Sequence, residues 1–302
     1  MKKIIYRVKP GIYFKLLFFV ACCFAYADGY SQRPELCGGY KIDTAALSRA
    51  LRYEKSHAYS LSGPSYLIRV YLHIIRNDDG SNAGATETQV QSELNQLAIS
   101  YSPANICFIK MGLNYINNST LNTMHIDDPN ITLLSTYNIP GCLNIYYHNE
   151  IVGYGGYSYG VPGTFCSIKT GNLGAFTTSH EVGHCLGLLH TFEPAYGYED
   201  IDGSNGASTG DLIADTPADP WVYLTRSCFP ALTCVYSGTC TDPKGQTNFN
   251  PPYRNTMGYW YVACPDYRNQ NAVETSGQFN RIYGICLLIL AYRAVNLLQM
   301  LF

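Results

Sequence analysis

The chemistry of this chain is concentrated in one stretch, His180-Glu181-x-x-His184-x-x-Gly187-x-x-His190. Residues four apart share a helix face, so His180 and His184 can present their imidazoles to one ion. Glu181 follows the first of them and can reach a water on that ion. Gly187 can take the positive φ that ends a helix abruptly, and the chain beyond it returns His190 as a third ligand. Three neutral imidazoles with one position left for water describe a catalytic zinc centre, not a closed structural one. Such a centre hydrolyses: zinc lowers the pKa of its water to about 7, and Glu181 serves as general base. A non-catalytic zinc-containing binding or adhesion protein is the competing reading, but it has no use for a base at Glu181. Val182, Cys185, Leu186 and Leu189 recur at helical spacing and form the buried face of the same helix, which makes Cys185 a core thiol and not a ligand.

The rest of the chain must place that stretch in a suitable compartment and scaffold. Its 302 residues fit one large domain or two modest ones. A net charge of -2 gives no electrostatic case for nucleic acid, and twelve cysteines point to an oxidising compartment. Lys2, Lys3, Arg7, Lys9 and Lys15 form a basic lead. The apolar run Leu16 to Tyr26 is too short to span a membrane comfortably, and Ala25-Tyr26-Ala27 reads as a cleavage site. Residues 1–27 are therefore expected to be a signal peptide and the protein to be secreted. The alternative is a lipid anchor at the cell surface through Cys22 or Cys23, because Val20-Ala21-Cys22 loosely fits a lipobox. Protein or peptide substrates are the expected partners, with no nucleic acid, no transmembrane span and a monomeric chain.

Residues 28–63 read as a pro-segment with a helix from Thr44 to Glu54, and Arg49, Arg52 and Lys55 as sites for activating cleavage. A domain over 64–302 follows. Its upper part, to about 187, is expected to hold a strand over Ser65 to Ile75, a helix over Thr86 to Tyr101, strands over Ile106 to Ile116 and Cys142 to Tyr147, and glycine-rich strands over 153–156 and 160–167. A glycine-rich strand there, if it lies at a sheet edge, could hold an extended peptide by pairing with its backbone. The lower part, 188–302, has little periodicity up to Gln246 and is expected to be irregular and stapled by disulfides. A packed C-terminal helix over Ser276 to Leu298 closes the chain. The fold class is α+β with an α/β-like upper half, a mixed twisted sheet and an active-site helix.

The histidine stretch resembles the metzincin signature, and Asn255-Thr-Met257-Gly-Tyr259 resembles the turn that follows it in those zinc endopeptidases. Further likeness is to the pappalysin family, especially its small bacterial members. It rests on His190-Thr191-Phe192, Gly210-Asp211 with Asp215-Thr216-Pro217, Asn250-Pro251-Pro252, and Thr275-Ser-Gly277-Gln278. The resemblance covers roughly Tyr66 to Leu298. It implies a zincin fold split by a cleft, Met257 as an apolar floor beneath the histidines, and Tyr259 as a donor to the oxyanion. It also implies a structural calcium, with Asp211 and Asp215 the first ligands to examine. Cys37, in Cys37-Gly38-Gly39, resembles the zymogen thiol that occupies the catalytic water's position. Cys264 matches a family disulfide whose partner is expected to be Cys228 or Cys234, and Cys240 is a further disulfide candidate.

Overall fold

The computed structural model describes residues 37–56, 66–229 and 235–260, and Thr275, Gln278, Arg281 and Ile282. The expected signal peptide, Cys22, Cys23, the Cys37 thiol, Cys234, Cys264 and most of the expected C-terminal helix lie outside what is described. The described residues fall within one compact unit.

A mixed six-stranded sheet in the order β1-β7-β8-β5-β2-β3 carries the fold. Strand β2 (Tyr66–Arg76) lies between β3 (Ile106–Asn117) and β5 (Leu143–His148), parallel to both. Its β-branched and aromatic residues suit a strand covered on both faces. Val70, Leu72 and Ile74 join one core, and Ile75 joins another with Ile116, Leu121 and Tyr146. Helix α1 (Thr44–Ser56) follows β1 (Cys37–Ile42), and helix α2 (Glu87–Tyr101) covers the first core with Val90, Leu94, Leu97 and Tyr101. A capping box starts α2: the Thr86 hydroxyl accepts from Gln89 N and the Gln89 amide oxygen accepts from Thr86 N. The polar stretch after β3 forms a short helix, α3 (Ser119–Asn122), then β4 (Thr123–Met124), which pairs with β6 (Glu150–Ile151).

The glycine-rich region folds differently from the expectation. Residues 153–155 are a turn, not a strand, with Gly153 at φ 82. The pairing strands are β7 (Gly156–Val161) and β8 (Phe165–Lys169), which run antiparallel. Pro162 has no N–H to give a ladder, and Gly163 N turns away to the Cys185 carbonyl. The hairpin is thereby tied to the end of the helix that carries His180 and His184.

The segment around Cys37, read as part of a pro-segment with no strand, forms β1. It pairs parallel with β7, with Tyr40 opposite Ser158 and Ile42 opposite Val161. Between His190 and Trp260 the described residues form only short 3-10 helices, at Pro194–Tyr196 and Pro220–Tyr223, while Gln278, Arg281 and Ile282 are α-helical, as expected for the C-terminal helix. An aromatic cluster of Trp221, Tyr223, Tyr236, Phe249, Tyr259 and Trp260 fills this lower half. Cys228 is bonded to Cys240 across a sequence separation of 12. Cys228 is thus already used and is not the partner of Cys264; the Thr239 N–H to Cys228 carbonyl bond holds the two cysteines' strands of chain side by side.

Candidate metal centre

Helix α4 (Thr177–Cys185) carries the first two histidines, and every residue in it is buried. Helix α2 fixes its first turn. Buried Glu93 accepts from Gly174 N and from the Thr178 hydroxyl, and the Tyr101 phenol donates to the Ser179 carbonyl at 2.8 Å. At the other end Gly187 takes φ 87. Its N–H reaches the His184 carbonyl and Leu188 N reaches the Gly183 carbonyl, the paired bonds of a Schellman stop. The expected glycine-terminated helix is therefore observed, and the chain beyond it brings His190 back.

The Nε2 atoms of the three histidines converge. His180 and His184 are 3.0 Å apart there, and His180 and His190 3.2 Å. A tetrahedral ion with bonds of about 2.0–2.1 Å spaces its ligand atoms about 3.3 Å apart, so the donor set fits one zinc-sized ion. The tautomers agree. His180 Nδ1–H donates to the Thr256 carbonyl, and His184 Nδ1–H donates to the Leu188 carbonyl at 2.7 Å. Each Nε2 then keeps its lone pair for a metal. Burial pushes the His180 pKa down to about 4 and those of His184 and His190 further below the usual range; neighbouring imidazoles add to the effect. Neutral imidazole is the ligating form. Among the described residues, this is the one cluster of three metal-binding side chains of its kind.

The other expected residues gather around these rings. Glu181 is fully buried beside the start of β7; a Cβ on Gly156 would come within 2.7 Å of its Oε1. Met257 is fully buried and packs against α4 so closely that a Cβ on Gly183 would meet its Sδ at 2.4 Å. The turn holding it is tied by Met257 N to Asn255 Oδ1 and Gly258 N to the Asn255 carbonyl. The Tyr259 hydroxyl lies 3.0 Å from His190 Nε2. Cys185 is buried, 3.4 Å from the Ser158 hydroxyl, and belongs to the core as expected.

Sequence reasoning missed three groups. The first is a buried network behind His190: the Thr191 hydroxyl and the Trp260 indole donate to the two oxygens of Asp219, which joins the histidine loop to the Met257 turn. The second is Tyr40, whose ring lies 4.1 Å from that of His184 and 4.9 Å from that of His190, centroid to centroid. The third is Glu199. Both its oxygens and Asp211 Oδ2 are buried without a hydrogen-bond partner. Burial, then neighbouring carboxylates, raises the Glu199 pKa, and burial raises that of Asp211. Asp215, paired with Asp211 in the sequence reading, is exposed. The acidic run from Glu199 to Asp202 was the available signal for Glu199; for Tyr40 it was the apolar alternation with Ile42.

No family model matches the chain. Extracellular metalloproteases of three fungi are similar to it. That of Podospora anserina is 27% identical over 205 residues, covering 58% of this chain and 64% of its own. That of Pyricularia oryzae is 31% identical over 175 residues, covering 50% and 56%. That of Sordaria macrospora is 26% identical over 241 residues, covering 70% and 75%. The chain thus spans less than two thirds of the length of the first two. Metalloproteinase-II from Bacteroides fragilis overlaps 68% of each chain at 14% identity with a TM-score of 0.32, too low to argue a shared fold.

Proposed function

We propose that the protein is an exported zinc endopeptidase of the metzincin class, of pappalysin type, which hydrolyses internal peptide bonds. The observation that carries the reading is the convergence of three neutral histidine Nε2 atoms beside a buried glutamate and a phenol. The names of the similar fungal proteins support both the reaction class and export. Among the described residues no helix is long and apolar enough to cross a membrane. His180, His184 and His190 would hold the zinc. When bound, zinc supplies an acidified water and a Lewis acid for the scissile carbonyl. Glu181 takes the water's proton and delivers it to the leaving amine. The Tyr259 phenol donates to the developing oxyanion. Met257 packs beneath the histidines and holds their geometry.

Burying the Glu181 carboxylate costs free energy, and a purely structural metal centre gains nothing in return. That disfavours the non-catalytic binding-protein reading. Calcium, in this proposal, binds through Glu199 and Asp211, whose partnerless buried oxygens have the hard-donor chemistry such an ion takes. Asp215, exposed but near enough to raise the Asp211 pKa, is the further carboxylate available to that ion.

The test is cleavage of denatured casein by the protein freed of its N-terminal segment. Activity that a chelator abolishes and stoichiometric zinc restores is the expected result. Zinc binding without any cleavage would favour the binding-protein reading.

A further inference from the structure

We infer that the segment Cys37–Ile42 closes the metal centre of this same chain, and that Tyr40 is the plug. The inference rests on the endopeptidase reading, since it names what regulates that site. A strand has two hydrogen-bonding edges. Strand β7 gives one to β8 and the other to β1. An extended peptide can add to β7 only after β1 leaves.

Tyr40 extends the closure from backbone to metal centre. Its ring covers His184 and His190. Its hydroxyl donates to Glu193 and accepts the His190 N–H at 3.2 Å. Glu193 is buried, and its other oxygen caps the next turn by accepting from Ala195 N. The phenol is therefore held by the loop that carries the third histidine.

The segment is anchored beyond the plug as well. Tyr40 and Ile42 pack with Leu47 and Leu51 of α1 against Val161 and Leu189. Asp43 N donates to the Val161 carbonyl, and the Asp43 side chain caps α1 through Ala46 N. The Tyr40 ring, tilted over the two imidazoles, closes the site by shape and strand pairing, without needing a thiolate on the metal. In this account the Tyr40 ring does the closing work first assigned to the Cys-Gly-Gly thiol.

Zinc-loaded protein with the segment intact is compared with the same protein nicked by trypsin, whose sites include Arg49, Arg52 and Lys55 on the exposed side of α1. Two readouts are taken: hydrolysis of a quenched fluorescent peptide, and the rate of zinc loss to a chelator. The uncut wild type should cleave about tenfold or more slowly than the nicked form, the loss expected of an aromatic anchor. Tyr40→Ala should remove that difference and speed zinc loss about tenfold. Tyr40→Phe should release part of it, and Cys37→Ala none. A synthetic peptide spanning residues 35–44 should inhibit nicked wild type, and its Tyr40→Ala form should not; this arm needs no variant enzyme to fold. Equal activity of cut and uncut wild type would overturn the plug while leaving the endopeptidase reading intact. Release by Cys37→Ala and not by Tyr40→Ala would overturn it in favour of the thiol. If no form cleaves peptide, the endopeptidase reading fails. The zinc-loss rates then decide the plug alone, and equal rates in wild type and Tyr40→Ala overturn it.

Discussion

At the scale of single residues, protonation and pairing decide what each group can do. The Nδ1–H bonds of His180 and His184 to backbone carbonyls leave Nε2 unprotonated, and burial keeps the rings neutral. Glu199 is the opposite case, a carboxylate buried near others with no donor to either oxygen. A cation there would offset the repulsion, and its binding would stabilise the fold by mass action. Calcium at a hundred times its Kd should then add about 2.7 kcal/mol, read as a rise in the thermal midpoint. Glu199→Gln should abolish the calcium-dependent rise and leave the midpoint of the calcium-free protein nearly unchanged at neutral pH, because burial and the neighbouring carboxylates already keep Glu199 protonated there. A midpoint indifferent to calcium in the wild type would remove the calcium assignment and leave the cluster as protonated carboxylates.

At the scale of elements, the site depends on close approach. Gly183 lets the Met257 turn lie against α4, and Gly156 lets β7 pass beside Glu181. Added volume at such contacts typically costs 1–3 kcal/mol. Strand β5 contributes a buried histidine away from the metal centre. His148 is bound by the Leu121 carbonyl and the Ser167 hydroxyl, and burial lowers its pKa to about 4. Its folded pKa is below the unfolded value of about 6.5, so the unfolded chain takes up the proton first as pH falls. The two states are equally unprotonated above about 6.5; stability is lost from there down to about 4, by about 3 kcal/mol in all. Denaturant midpoints measured across that window should fall less in His148→Gln than in the wild type. Parallel curves would mean that His148 titrates normally in the folded protein.

At the scale of the whole molecule, the sequence was legible where one residue type had one physical reading. The histidine spacing, Gly187 and the apolar face of α4 needed only helix geometry. The bounds of β2 and α2 came within a residue or two, because β-branched and aromatic content and a capping box mark them locally. Illegible features depended on partners distant in sequence. Nothing local says that Tyr40 lies against His184, that Thr191 and Trp260 share Asp219, or that Glu199 meets Asp211. The Cys228–Cys240 bond removes one of the two partners expected for Cys264 and leaves Cys234, because disulfide connectivity follows spatial proximity and not spacing along the chain. Glycine content misplaced the β7–β8 hairpin because it marks turns as readily as strands; Pro162 set the actual boundary.

The central claim is that the convergent histidines hold zinc for a reaction in which Glu181 moves the proton. It is tested most directly by comparing wild type with Glu181→Gln, both freed of the N-terminal segment, for bound zinc and for peptide hydrolysis in the same preparations. The account predicts an unchanged zinc-to-protein ratio and a turnover lower by about a hundred- to ten-thousand-fold. Turnover near the wild-type rate with zinc retained would contradict it.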